Sequence, residues 1–238
     1  MTQDLDSSVL SDGAPARSEM HTQAIRIPAD RVMLDGDFSI PAAPRGVVVF
    51  AHGSGSSRHS RRNQWVAGAL NRAGYATLLL DLLTPTEDRD ATNRFDIALL
   101  TERVAAAVDW IGEQDLTRDL PIGLFGASTG AAAAINAAAS RPREIAAVVS
   151  RGGRPDVAEV QALAHVTAPT LLIVGGYDVE VLELNRAAQA LMSTHVELAV
   201  IPAATHLFEE PGALEAVAEL AAAWYLRWMP GRLPGSCC

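Results

Sequence analysis

Apolar residues come along this chain in two rhythms that alternate. Gly46 to Ala51, Ala76 to Leu80, Pro121 to Phe125, Ile145 to Ser150, Thr170 to Val174 and Val196 to Ile201 are short, nearly continuous apolar runs. Such runs are what strands buried on both faces show. Between them lie longer stretches in which apolar residues recur every three or four positions: Asn63 to Ala73, Phe95 to Trp110, Ala131 to Ala139, Glu180 to Met192 and Gly212 to Trp228. These predict helices, and Asp156 to Leu163 predicts a short one. Ahead of the first buried run, Ala24 to Pro28 and Arg31 to Asp35 favour β-branched residues, and Asp35-Gly36-Asp37 is a turn signal. They predict antiparallel strands at one sheet edge.

Five or six βα units in series predict a mainly parallel sheet flanked by helices on both faces, with right-handed crossovers. No linker divides the chain, so one domain over 21–230 is expected, between flexible tails at 1–20 and 231–238. Leu82 to Asn93 is irregular and polar but too short for a large cap domain, so any lid must be small.

Composition narrows the function. The 238 residues are 49% hydrophobic with a net charge of -9, and the excess acid excludes a nucleic-acid binder. The two cysteines, Cys237 and Cys238, stand together at the end of the chain, which allows no disulfide framework and no cysteine metal site. Asp81 and Asn136 interrupt the best candidates for a membrane span. Asp4, Asp6 and Asp12, without a basic start, do not read as a secretory leader, and a cytoplasmic location is expected.

In an open parallel sheet ligands collect beyond the carboxyl ends of the strands. The residues there are His52 to Ser57, Asp81, Ser128, Arg151, Asp178 and His206. Ser128 sits in Gly126-Ala127-Ser128-Thr129-Gly130, between an apolar run and an alanine-rich helix, where G-x-S-x-G forms a sharp turn that projects the hydroxyl. An alcohol is a poor nucleophile at neutral pH. It requires an imidazole to take its proton, and the imidazole requires a carboxylate to fix its tautomer. Asp178 follows the next-to-last strand, with Glu180 and Glu183 as alternatives, and His206 follows the last. His21 lies in the tail, His165 and His195 precede their strands, and His52 and His59 belong to the loop His52-Gly53-Ser54-Gly55.

The oxyanion that acyl transfer develops must meet fixed N–H donors. The amide of Thr129 is one, and that of Ser54 is the expected second, with Gly55 as the alternative. Arg151 ends a buried strand, where an unpaired guanidinium is costly. With Arg58 or Arg94 it is a candidate to bind a carboxylate or other anion on the substrate.

The run HGSGSS, GASTG, LLIVGGYD, ATHLFEEPG, in that order over Val47 to Trp228, resembles the α/β-hydrolases, and more narrowly their dienelactone-hydrolase-like group. It differs from dienelactone hydrolases in Ser128, where they use cysteine, and in the oxyanion loop. The resemblance implies an α/β-hydrolase fold and a serine hydrolase that needs no cofactor or metal. Its substrate would be a small carboxylic ester or lactone, cleaved through an acyl-enzyme. An acyltransferase or peptidase with the same residues is an alternative, as is a ligand-binding protein on the same scaffold.

Overall fold

The computed structural model describes residues 20–231. Residues 1–19 and 232–238, which carry most of both expected tails and Cys237 and Cys238, lie outside the described residues.

Among the described residues eight strands form one sheet: β1 (Met20–Ala29), β2 (Val32–Pro41), β3 (Val47–Ala51), β4 (Ala76–Leu80), β5 (Ile122–Ala127), β6 (Ile145–Arg151), β7 (Thr170–Gly175) and β8 (Val196–Ile201). Their order is β1-β2-β4-β3-β5-β6-β7-β8. The β1-β2 and β2-β4 pairs are antiparallel and all the others parallel. The first two strands therefore do frame one edge. Their turn, however, falls at Asp30 and Arg31, since Ala29 pairs with Val32, and Asp30 takes φ 51. Asp35-Gly36-Asp37 lies inside β2 instead. Gly36 pairs with both neighbouring strands, and a Cβ there would come within 3.2 Å of Leu78 and 3.3 Å of Ile25, so it is a close-packing glycine.

Six helices of the described residues cover the sheet: α1 (Arg61–Arg72), α2 (Ile97–Glu113), α3 (Thr129–Ser140), α4 (Val160–His165), α5 (Val179–Leu191) and α6 (Ala213–Trp228). The helix expected over Asp156 to Leu163 is divided into a 3-10 turn, Pro155–Val157, and α4. Ala158 between them is extended at ψ 159, and the Glu159 N–H donates to Asn136 of α3, so a tertiary bond holds the break open. The stretch after β4 is likewise made of 3-10 turns, Glu87–Arg89 and Ala91–Phe95, and builds no cap.

The central strands show why the apolar runs are continuous. Val47, Val49 and Ala51 of β3 enter a core with α2, α3 and Ala188 of α5, whereas Val48 and Phe50 enter a second core with α1 and α6. Side chains alternate across the sheet and both sides are dry, so every position must be apolar. Helix α3 is built of alanine for a related reason. It lies directly on the sheet, with Ala131 through Ala134 fully buried, and larger side chains would hold the helix away from β5. Among the described residues no helix is long and apolar enough to cross a membrane.

Candidate active site

Ser128 stands between β5 and α3 with φ 50 and ψ -124, a conformation that L-residues adopt only where the surroundings compel it. The surroundings are the two flanking glycines. A Cβ on Gly130 would come within 2.3 Å of the Ala51 carbonyl oxygen, and one on Gly126 within 2.4 Å of the Ala131 Cα. Neither gap can hold a carbon, so strand, turn and helix close on one another only with glycine at both places. The backbone is pinned further by the Ser128 N–H, which donates to the Arg151 carbonyl at 3.2 Å.

At the same end of the sheet Asp178 follows β7 and opens α5, and His206 lies in the loop between β8 and α6. Asp178 Oδ2 lies 2.6 Å from His206 Nδ1, a charge-assisted contact that leaves Nε2 as the free nitrogen of the ring. The loop is held by strain and close approach. Ala203 and Phe208 have φ 58 and 55, and a Cβ on Gly175 would meet the Ala204 carbonyl oxygen at 2.3 Å. Ser128 and His206 line one cavity of about 240 Å³ together with Gly53, Ser54, Arg62 and Arg151. Their hydrogen bond to each other is not formed in this conformation; such bonds are often long before substrate binds. A larger cavity, of about 790 Å³, lies around Pro121, Arg143 and Trp228, where β5 and β6 begin, and includes none of the candidate residues.

Two amide groups were expected to face an oxyanion. The Thr129 N–H, in the first turn of α3, has no acceptor among the described residues, as the open end of a helix allows. The Ser54 N–H differs from expectation: it donates to Thr129 Oγ1 at 2.9 Å. A substrate oxygen would have to share or replace that bond, so the second donor is occupied in this conformation.

His52 is a structural latch. Its Nε2 accepts from the Leu82 N–H at 3.1 Å and its Nδ1 donates to the Gly53 carbonyl at 2.9 Å, a pattern that only the neutral imidazole completes. Burial pushes its pKa below the ordinary 6.5, opposed by the Gly53 carbonyl and by Asp81 and Asp88. In the unfolded chain the ring takes up a proton near 6.5, and in the folded protein only at lower pH. Stability is therefore expected to fall as pH drops through 6.5 toward the folded value. Urea midpoints measured from pH 7 to 5 should fall less steeply in His52→Gln than in the wild type; parallel slopes would assign the acid sensitivity elsewhere.

The arginines divide sharply. Arg58 is ion-paired with Asp81, which also accepts from its backbone N–H, and lies 3.6 Å from Asp37. Arg94 grips both oxygens of Asp88 at 2.7 and 3.0 Å. Both expected substrate contacts are thus spent on holding the loops after β3 and β4, and neither lines the cavity of Ser128. Arg151 does line it. Only 7% exposed, it has no carboxylate partner among the described residues; its Nη2 reaches Asn63 Oδ1 at 3.3 Å and its Nε has no partner. Burial, with Arg62 nearby, pushes its pKa down to about 10, so it is cationic at neutral pH. A buried charge left without a partner typically costs about 3–5 kcal/mol. Arg62 of the cavity, one of the arginines that flank the strand ends in the sequence, comes from the start of α1 with Ser60 and Asn63, and those two were not expected. Their only sequence signal is the serine that caps this helix, Ser60, whose Oγ accepts from the Asn63 N–H.

A family model described as alpha/beta hydrolase fold matches residues 46–220. A dienelactone hydrolase structure from Anabaena variabilis ATCC 29413 is 51% identical, covers 88% of this chain and 99% of its own, and superposes with a TM-score of 0.85. Est1E from Butyrivibrio proteoclasticus, 19% identical over 87% of this chain and 99% of its own, has a TM-score of 0.75 and shares the fold. Two curated Mycobacterium tuberculosis proteins, from strains H37Rv and CDC 1551, are 53% identical over 221 residues, 93% of this chain, and each carries the name "Putative phosphoribosyl transferase". The chain spans about half the length of these curated relatives. A match over most of the sequence and a half-identical structure with the same strand and helix scaffold place this chain in the α/β-hydrolase fold family, within its dienelactone-hydrolase-like group.

Proposed function

We propose that the protein is a serine hydrolase that cleaves a small carboxylic ester or lactone through an acyl-enzyme. The observation that carries this reading is the junction of a strained Ser128 and an Asp178-bound His206 in one cavity. His206 Nε2 takes the Ser128 hydroxyl proton as Oγ attacks the substrate carbonyl. Asp178 holds the ring in the tautomer that leaves Nε2 free and stabilises the imidazolium as it forms. The Thr129 N–H stabilises the oxyanion, a donor typically worth about 3 kcal/mol in the transition state. The Ser54 N–H joins it once the substrate oxygen displaces Thr129 Oγ1. His206 then returns the proton to the leaving alcohol, and water, activated by the same imidazole, releases the acid.

The name borne by the curated relatives refers to proteins of which this chain is half the length, and the cavity residues here favour acyl chemistry. A fluorophosphonate probe tests the reading. It is expected to label the wild type stoichiometrically at Ser128 and to leave Ser128→Ala unlabelled. An unlabelled wild type with intact fold would favour a binding protein on the same scaffold. Turnover of an ester with no turnover of the matching amide would separate a hydrolase of esters from a peptidase, and product partition into added alcohol would reveal an acyltransferase.

A further inference from the structure

We propose that Arg151, assisted by Arg62, forms an anion subsite that selects substrates whose short acyl chain ends in a carboxylate. The proposal rests on the acyl-transfer reading of Ser128 and adds the substrate class. Three observations lead to it.

The cavity wall is cationic and rich in donors. Ser54, Ser56, Ser60, Arg62, Asn63 and Arg151 all line it, and among the described residues no aspartate or glutamate does. Arg62 has a surface partner, Glu209 at 3.0 Å, but its Nε is buried without an acceptor, like the Nε of Arg151. Both arginines line one small space and Arg62 acts on Arg151 as a like charge, a repulsion that an anion entering between them would offset.

The position of Arg151 is tied to that of the nucleophile. Arg151 pairs with Ala127 across β5 and β6, and its carbonyl accepts the Ser128 N–H, so the guanidinium and the attacking oxygen spring from adjacent points of the backbone. In a space of about 240 Å³ the anion and the scissile carbonyl must then belong to one small molecule.

The side of the ester also follows. His206, which gives the leaving group its proton, has a side chain 37% exposed at the rim, whereas Arg151 is 7% exposed. The alcohol leaves past the open side, so the part kept on Ser128, the acyl group, lies toward the buried guanidinium. A bidentate carboxylate also suits the planar fork of arginine.

The test compares 4-nitrophenyl hemisuccinate, whose acyl chain ends in a carboxylate, with neutral 4-nitrophenyl butyrate. The wild type is expected to favour the hemisuccinate in kcat/KM. In Arg151→Gln the ratio of hemisuccinate to butyrate should fall by about 10- to 100-fold, the size of a lost charge-assisted hydrogen bond. Arg62→Gln, on a more open site, should lower the ratio in the same direction and keeps the proposal testable if Arg151→Gln does not fold. Equal losses on both esters, or no preference in the wild type, would overturn it. Succinate binding by titration calorimetry reads the subsite without turnover: heat with the wild type and none with Arg151→Gln is expected. Binding of inorganic phosphate in place of succinate would overturn the carboxylate assignment. A wild type that binds succinate but takes no fluorophosphonate label would refute the hydrolase and leave the anion subsite standing.

Discussion

Ser128→Ala is expected to lower kcat for ester hydrolysis by about 10⁶-fold while leaving the fold intact. The substitution removes one oxygen and nothing that the fold depends on. Ser128 makes no side-chain cap to α3, and its φ of 50 is imposed by the close approach of Gly126 and Gly130, which alanine leaves in place. Catalysis by the Thr129 amide and by substrate positioning would remain, typically about 10³–10⁴ over the reaction in water. Steady-state kinetics, with circular dichroism to verify the fold, make the measurement. A loss of only a few fold would mean that another group attacks the carbonyl.

Asp178→Asn is the second large effect, about 10⁴-fold in kcat at neutral pH. Asp178 Oδ2 lies 2.6 Å from His206 Nδ1 and so keeps the Nδ1 proton toward the acid. An asparagine that turns its amide nitrogen to the ring asks Nδ1 to accept, which moves the proton to Nε2, the atom that takes the serine proton in the proposed mechanism. The asparagine also provides no charge to stabilise the imidazolium. KM should change far less than kcat, because in the proposed mechanism the pair acts in the transition state. The alternatives raised by the sequence, Glu180 and Glu183, are placed in the first turns of α5, and Glu183 is an ion-pair partner of Arg186. If Asp178→Asn kept more than about a tenth of wild-type kcat, a carboxylate other than Asp178 would have to orient the ring.

Much of the scaffold is legible in the amino-acid sequence. Apolar runs such as Val47 to Ala51 can only be strands covered on both sides, and the two cores on opposite faces of β3 are that requirement made visible. The turn at Ser128 is legible because its glycines are needed locally, where strand and helix meet. The turn between β1 and β2 is not. Asp35-Gly36-Asp37 has turn chemistry, but pairing with β4 gives Gly36 a close-packed place in a strand, so the chain reverses two residues after Pro28 instead. The helix expected over Asp156 to Leu163 is broken by a bond from Glu159 to Asn136, a partner 23 positions away.

The arginines mark the limit most clearly. In the sequence Arg151 stands apart as the end of a buried strand, but nothing there shows which of Arg58, Arg94 and Arg151 meets an acid. Arg58 meets Asp81 and Asp37, which come from other strands or their ends, and Arg94 meets Asp88 through a 3-10 fold of its own segment. Arg151 meets none.

The order of strands and helices along the chain, the glycine-framed serine, and the placing of serine, acid and histidine after β5, β7 and β8 were all determined by the sequence, because each depends on neighbours within a few residues or on simple alternation of burial. Which charges cancel, which amide is already occupied and which guanidinium is left facing the cavity were decided only by the tertiary structure. Those outcomes depend on side chains that approach from separate strands, and electrostatic and hydrogen-bond energies vary over a few ångströms that no local pattern encodes.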